Sequence, residues 1–90
     1  MAGFPIPRVP IITPHQIIVI APITGIIMEI KKRVGNRVKA GDTLLILEAM
    51  KMENEIVTPG SGVVKEIRVK KGQKVKTGAP LVVITPLGKK

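Results

Sequence analysis

The chain repeats itself at a fixed spacing, and that repeat narrows the folds open to it more than any other feature. Ala21-Pro22-Ile23-Thr24-Gly25 aligns with Thr58-Pro59-Gly60-Ser61-Gly62, and Pro22 to Pro59 sets an offset of 37 residues. The same offset relates Glu29-Ile30 to Glu66-Ile67, Gly35 to Gly72, Val38-Lys39 to Val75-Lys76, Gly41 to Gly78 and Leu44 to Leu81. A duplication of this kind predicts two similar supersecondary units packed about a pseudo-twofold axis. The halves run over residues 17–49 and 54–86 and leave residues 50–53 at the seam. Lys51 lies in that seam, and its counterpart by the offset is Gly88. Whatever the seam does is therefore done once, although the scaffold is doubled.

Each half reads as strands. Residues 17–21 are an apolar, β-branched run, and Pro22 to Gly25 is a turn in which Pro fixes one dihedral and Gly permits positive φ. Residues 26–32 open with the alternation Ile26, Met28, Ile30. Gly35, a short piece around Val38, a turn at Ala40-Gly41-Asp42 and a strand over 43–48 follow. The second half repeats the pattern over 63–70 and 81–85, with Gly72, Val75 and Gly78 between. Turn signals every eight to twelve residues predict an all-β sandwich or barrel of about eight strands. Gly and β-branched residues interrupt every window a helix would need. Lys32 stands where the second half has Val69; Val34, of the same parity, is the candidate to fill that core place through a bulge or shift.

Ninety residues make one small domain, which buries only about 60% of its unfolded surface. The core must come from Ile, Val and Leu, because the chain has one Phe and no Trp or Tyr. Without Cys there is no disulfide framework and no thiol chemistry, which suits a reducing cytosol. No apolar run reaches the ~18 residues of a membrane helix. The N-terminus lacks the basic-then-apolar order of a signal peptide. We expect a cytoplasmic domain with no membrane insertion. Residues 1–16, punctuated by Pro5, Pro7, Pro10 and Pro14, read as an extended linker on which Ile11 and Ile12 are placed to dock, and residues 87–90 as a tail.

Fifteen basic and six acidic residues give a net charge of +9, with the cations concentrated between Lys31 and Lys39 and between Lys65 and Lys76. Such a balance raises nucleic acid as a partner. Barrels that hold single strands stack bases on aromatic rings, and this chain offers only Phe4. Two solvated basic faces are the better reading, with no nucleic-acid partner. His15 is the one histidine and has neither cysteine nor a second histidine to complete a metal site. The glycines follow neither phosphate-loop pattern and read as turn residues. No Ser–His–Asp, Cys–His or paired-carboxylate set is present, so no catalytic residues are assigned.

The seam reads Glu48-Ala49-Met50-Lys51-Met52-Glu53-Asn54, with Leu44 to Leu47 before it and Ile56-Val57 after. This places Lys51 at a hairpin tip between two methionines. A lysine there is a compact amine on a flexible four-carbon stem. Exposed lysines are ordinarily solubilising charges, but two exposed methionines beside one serve no core and lower solubility. Methionine is the adaptable apolar side chain of binding surfaces. Glu48, Glu53 and Glu55, three of the six acids, make the tip locally acidic on a basic body.

The run Glu-Ala-Met-Lys-Met over residues 48–52, with its flanking strands and duplication, resembles the biotinylation site of the biotinyl/lipoyl attachment-domain family, in its biotin carboxyl carrier branch. The resemblance covers residues 17–86. It implies a flattened β-barrel or barrel-sandwich hybrid of two four-stranded antiparallel sheets with quasi-twofold symmetry. No inserted thumb is expected, since the offset runs without a gap through the first half. It implies covalent biotin on Lys51, with Glu48, Ala49, Met50, Met52 and Glu53 forming the tip that a biotin protein ligase recognises. The tethered biotin would then carry a carboxyl group between a biotin carboxylase and a carboxyltransferase or decarboxylase. The lipoyl branch more often has an acid directly before its lysine and an alanine after it; Met50 and Met52 occupy those places here. A lipoyl carrier of a 2-oxo acid dehydrogenase-type complex is thus the alternative.

Overall fold

A computed structural model describes residues 11–12 and 15–87. Its strands are β1 (Ile11–Ile12), β2 (Ile17–Ile20), β3 (Gly25–Ile30), β4 (Arg37–Val38), β5 (Thr43–Ala49), β6 (Met52–Val57), β7 (Gly62–Ile67), β8 (Lys74–Val75) and β9 (Pro80–Pro86). They form two antiparallel sheets, ordered β1-β2-β9-β7-β4 and β6-β5-β3-β8. The two four-stranded sheets expected from the sequence are there, and β1 adds a two-residue edge to the first by pairing Ile11 with Ile18 and Ile12 with Ile17. The prolines of the expected linker, Phe4, and Gly88 in the expected tail lie outside the described residues. Four residues, 21–24, separate β2 from β3, and four, 58–61, separate β6 from β7, with no inserted hairpin at either place.

The two halves interleave: β2 and β4 of the first half join β7 and β9 of the second, while β3 and β5 join β6 and β8. The 37-residue offset reappears bond by bond. Ala21 N–H donates to Ala79 C=O, as Thr58 N–H donates to Asp42 C=O. Ile27 N–H donates to Gln73 C=O, as Val64 N–H donates to Asn36 C=O. Lys31 and Arg68 N–H reach Leu44 and Leu81 C=O, both at 2.8 Å. Two exposed ion pairs, Lys31–Glu29 and Arg68–Glu66, are equivalent too. Exposed pairs contribute little to stability, but their recurrence confirms the symmetry.

Register slips also come in equivalent pairs, at Met28 and Lys65 and at Leu44 and Leu81. A bulge breaks the in–out alternation of a strand. Here it lets consecutive residues, Leu44 with Leu45 and Leu81 with Val82, all point into the core. With Ile17, Val19, Ala21, Ile27, Leu47, Ile56, Val64 and Ile84 they fill the space between the sheets. An aliphatic core of this kind is what a chain nearly devoid of aromatics can build.

Two sequence expectations need correction. Val34 does not fill a core place; it is 63% exposed. The strand ends at Ile30, and a tight turn closed by Asn36 N–H to Arg33 C=O, and by Arg33 N–H to the Asn36 Oδ1, turns Val34 outward. Strand parity no longer applies there, and Lys32 is left half-buried opposite the second half's buried Val69. The second correction concerns Gly25 and Gly62, which are not turn residues but open β3 and β7. Gly35, Gly41, Gly72 and Gly78 do take positive φ. Gly25 and Gly62 are needed for close approach: a Cβ would collide with the Glu48 carbonyl oxygen at one and the Thr85 carbonyl oxygen at the other.

Candidate functional site

The seam is a hairpin. β5 and β6 pair from Thr43↔Val57 through Leu47↔Asn54 and Glu48↔Glu53 to Ala49↔Met52, leaving Met50 and Lys51 as a two-residue loop. Both have positive φ, 53° and 64°. Two-residue hairpin loops of type I′ require this at both positions, because only the primed turns match the twist of the flanking strands. Asn-Gly is the usual solution, since an L side chain in this region costs about 1–2 kcal/mol per residue. Met50 and Lys51 are the only non-glycine residues with positive φ among those described. The loop is therefore strained, and the surrounding structure holds it in that shape.

Three features supply the hold. Leu47 and Ile56 anchor the two strands in the core. Ala49 is 5% exposed, and the absent Cβ of Gly25 would lie 3.2 Å from the Ala49 Cβ, so the start of β3 packs directly against the end of β5. The Asn54 side-chain amide donates to the carbonyls of Leu47 on β5 and of Met52 on β6, each at 3.3 Å.

Lys51 is exposed, Met50 is 82% exposed and Met52 66%. Glu48 and Glu53 sit opposite one another in register, and Glu55 pairs with Ile46 two residues further along the same outward face. The Glu55 carboxylate also accepts a hydrogen bond from the Thr43 hydroxyl at 3.1 Å. By the 37-residue offset these acids correspond to Thr85, Gln16 and Ile18, so the acidic face belongs to the tip and not to the repeated scaffold. Of the residues singled out in the sequence, the structure brings Glu48, Met50, Lys51, Met52 and Glu53 together around the tip, and turns Ala49 inward as a wedge. Sequence reasoning missed Gly25 and Asn54 as supports and the positive φ of the loop.

Chemically, the arrangement is a projecting amine. Among the described residues no group of three or more His, Cys, Asp or Glu could hold a metal ion. Among those residues, too, no helix is long and apolar enough to cross a membrane.

Comparison with known proteins identifies the family. Residues 13–84 match the family described as "Biotin-requiring enzyme". The glutaconyl-CoA decarboxylase gamma subunit of Acidaminococcus fermentans is 52% identical over 42 residues, covering 47% of this chain and 29% of that protein. The biotin carboxyl carrier protein of Streptococcus mutans is 54% identical over 37 residues, covering 41% of this chain and 28% of that protein. The solved structure of a single-chain, multi-domain long-chain acyl-CoA carboxylase superposes with a TM-score of 0.77 at 33% identity, over 84% of this chain and 8% of that one. The chain thus spans under a third of each of these relatives. It belongs to the biotin-requiring enzyme family of biotinyl/lipoyl attachment domains, and within that family it is of the biotin carboxyl carrier type.

Proposed function

We propose that Lys51 is the biotin attachment residue of a carrier domain that serves a biotin-dependent carboxylase or decarboxylase. The observation that carries this is the strained Met50-Lys51 loop, which holds one amine out from the single place where the duplicated scaffold is not duplicated. The residues present fit biotin: the amine is exposed, and Met50 and Met52 give an apolar surround without closing over it. The domain does no chemistry of its own. When attached, biotin supplies a group that is loaded with carboxyl at one active site and unloaded at another.

Attachment begins with a biotin protein ligase that presents biotinyl-AMP. The Lys51 nitrogen attacks the acyl carbon, an amide forms, AMP leaves, and the proton released from nitrogen passes to the ligase. An ammonium has no lone pair, so deprotonation must precede attack, and the open tip leaves that task to the ligase. Met50 and Met52 offer adaptable apolar contact to successive partners. Glu48 and Glu53 give the tip a negative field that orients it toward basic surfaces. Tethering raises the local concentration of the cofactor at each partner. Those partners are the ligase, a biotin carboxylase, and a carboxyltransferase or decarboxylase. The lack of cysteine supports a cytoplasmic setting.

Lys51→Arg tests the assignment. It keeps charge and fold but removes the acylable amine, and intact-mass analysis after co-expression with a biotin ligase should show no adduct. Biotin retained on that variant would refute the site. The same measurement with a lipoyl ligase separates the lipoyl alternative, since the two adducts differ in mass.

A further inference from the structure

We infer that Asn54 is a positioning residue for the reaction proposed at Lys51: its side-chain amide braces the strained loop from beneath and keeps the amine in one presentation. The inference rests on the assignment of Lys51. Asn54 lies three residues beyond the lysine and is half-buried. It shares strand parity with Ile56, which points into the core, so it occupies the inward side of the hairpin below the loop. From there its Nδ2 reaches the Leu47 carbonyl on one strand and the Met52 carbonyl on the other. Met52 closes the last rung before the loop, paired with Ala49. One amide thus ties both legs of the hairpin at the point where the backbone must turn into positive φ.

The equivalent place in the other half carries no amide. Subtracting 37 from 54 gives Ile17, which is 4% exposed and part of the core. Ile17 pairs with Ile84 just as Asn54 pairs with Leu47. Where the scaffold has no tip to support, this position is an ordinary buried isoleucine. A half-buried amide in place of that isoleucine gives up apolar burial, for which packing supplies no reason. The reason is local: the loop residues Met50 and Lys51 lack the Asn-Gly chemistry that would hold a type I′ turn unaided.

The twofold mate also provides the test. Asn54→Ile installs the residue that the scaffold uses at the equivalent place, so the fold should survive. If the amide holds the loop in the form the ligase binds, its loss lowers the competent fraction and raises the ligase KM for the apo domain while kcat stays fixed. The expected rise is at least about fivefold, the factor that corresponds to the net strength of one of the two hydrogen bonds lost. The melting temperature should hold or rise. A KM within twofold of the parent's would overturn the inference, as would a fall in melting temperature with KM unchanged, which marks a purely structural residue. A double-mutant cycle with Met50→Asn then asks whether Asn54 acts through the loop. Asparagine tolerates positive φ, so in that background the effect of Asn54→Ile should shrink below twofold. The full effect in both backgrounds would overturn action through the loop. Failure here stays distinct from failure of the site itself, because Lys51→Arg reports on that separately.

Discussion

Replacing Lys51 by glycine should stabilise the domain while abolishing its use. Lys51 sits at φ 64° in the second loop position, where type I′ turns favour glycine. Holding an L residue there costs about 1–2 kcal/mol, and glycine removes that cost. Against this stands the extra freedom of glycine in the unfolded chain, about 0.5–1 kcal/mol. The net is a gain of about 1 kcal/mol, which for a domain of this size raises the melting temperature by about 4–8 °C. Thermal unfolding followed by circular dichroism measures it. Two controls separate strain from other effects. Lys51→Gln removes the charge but keeps the side chain and should leave the midpoint close to the parent's. Lys71→Gly changes an exposed turn lysine that lacks positive φ and should lower the midpoint by a few degrees, about 0.5–1 kcal/mol. If Lys51→Gly falls alongside Lys71→Gly, the loop is not strained and the account of how the amine is presented is wrong.

Two further outcomes follow from the same geometry. Gly25→Ala and Gly62→Ala should each destabilise by about 1–3 kcal/mol in denaturant melts, since both push a Cβ into backbone. Only Gly25→Ala should also slow biotinylation, because it alone abuts Glu48 and Ala49 beneath the tip; equal slowing in both would remove the idea that β3 supports the loop. Glu53→Lys should flatten the dependence of biotinylation rate on salt, since the attraction it removes is screened over about 10 Å at 0.1 M. An unchanged slope would rule out steering by the acidic face.

The repeat could be read from the sequence because both copies must solve the same packing problem with the same residues. Pro22 and Pro59, Gly35 and Gly72, and Leu44 and Leu81 keep their spacing because each pair has one structural job. That job shows in the duplicated hydrogen bonds and register slips. The tip stood out in the order of residues 48–54, since two methionines beside a lysine serve no core, but that pattern alone left an ordinary solvated lysine open, and the resemblance of the run Glu48 to Met52 decided the reading. Other features were not. Met-Lys carries none of the Gly, Asn or Asp signals by which positive-φ loops are recognised, so the strain at residues 50 and 51 could only come from the backbone. Val34 misled because period-two parity was carried past the end of a strand into a turn. Gly25 and Gly62 looked like turn residues because a glycine needed for close contact and one needed for positive φ are the same letter. The interleaving of the halves across both sheets depends on long-range pairing, such as Gly25 with Val75 and Val38 with Gly62, that no local pattern encodes.

The pairing of equivalent bonds has a consequence for encounter. A protein that touched only the strands and repeated loops would meet the same relief after half a rotation, and half of its collisions would leave the amine facing away. Glu48, Glu53 and Glu55, whose mates are Thr85, Gln16 and Ile18, break that tie. A handful of side chains on one hairpin thus give a nearly ambidextrous body a front and a back.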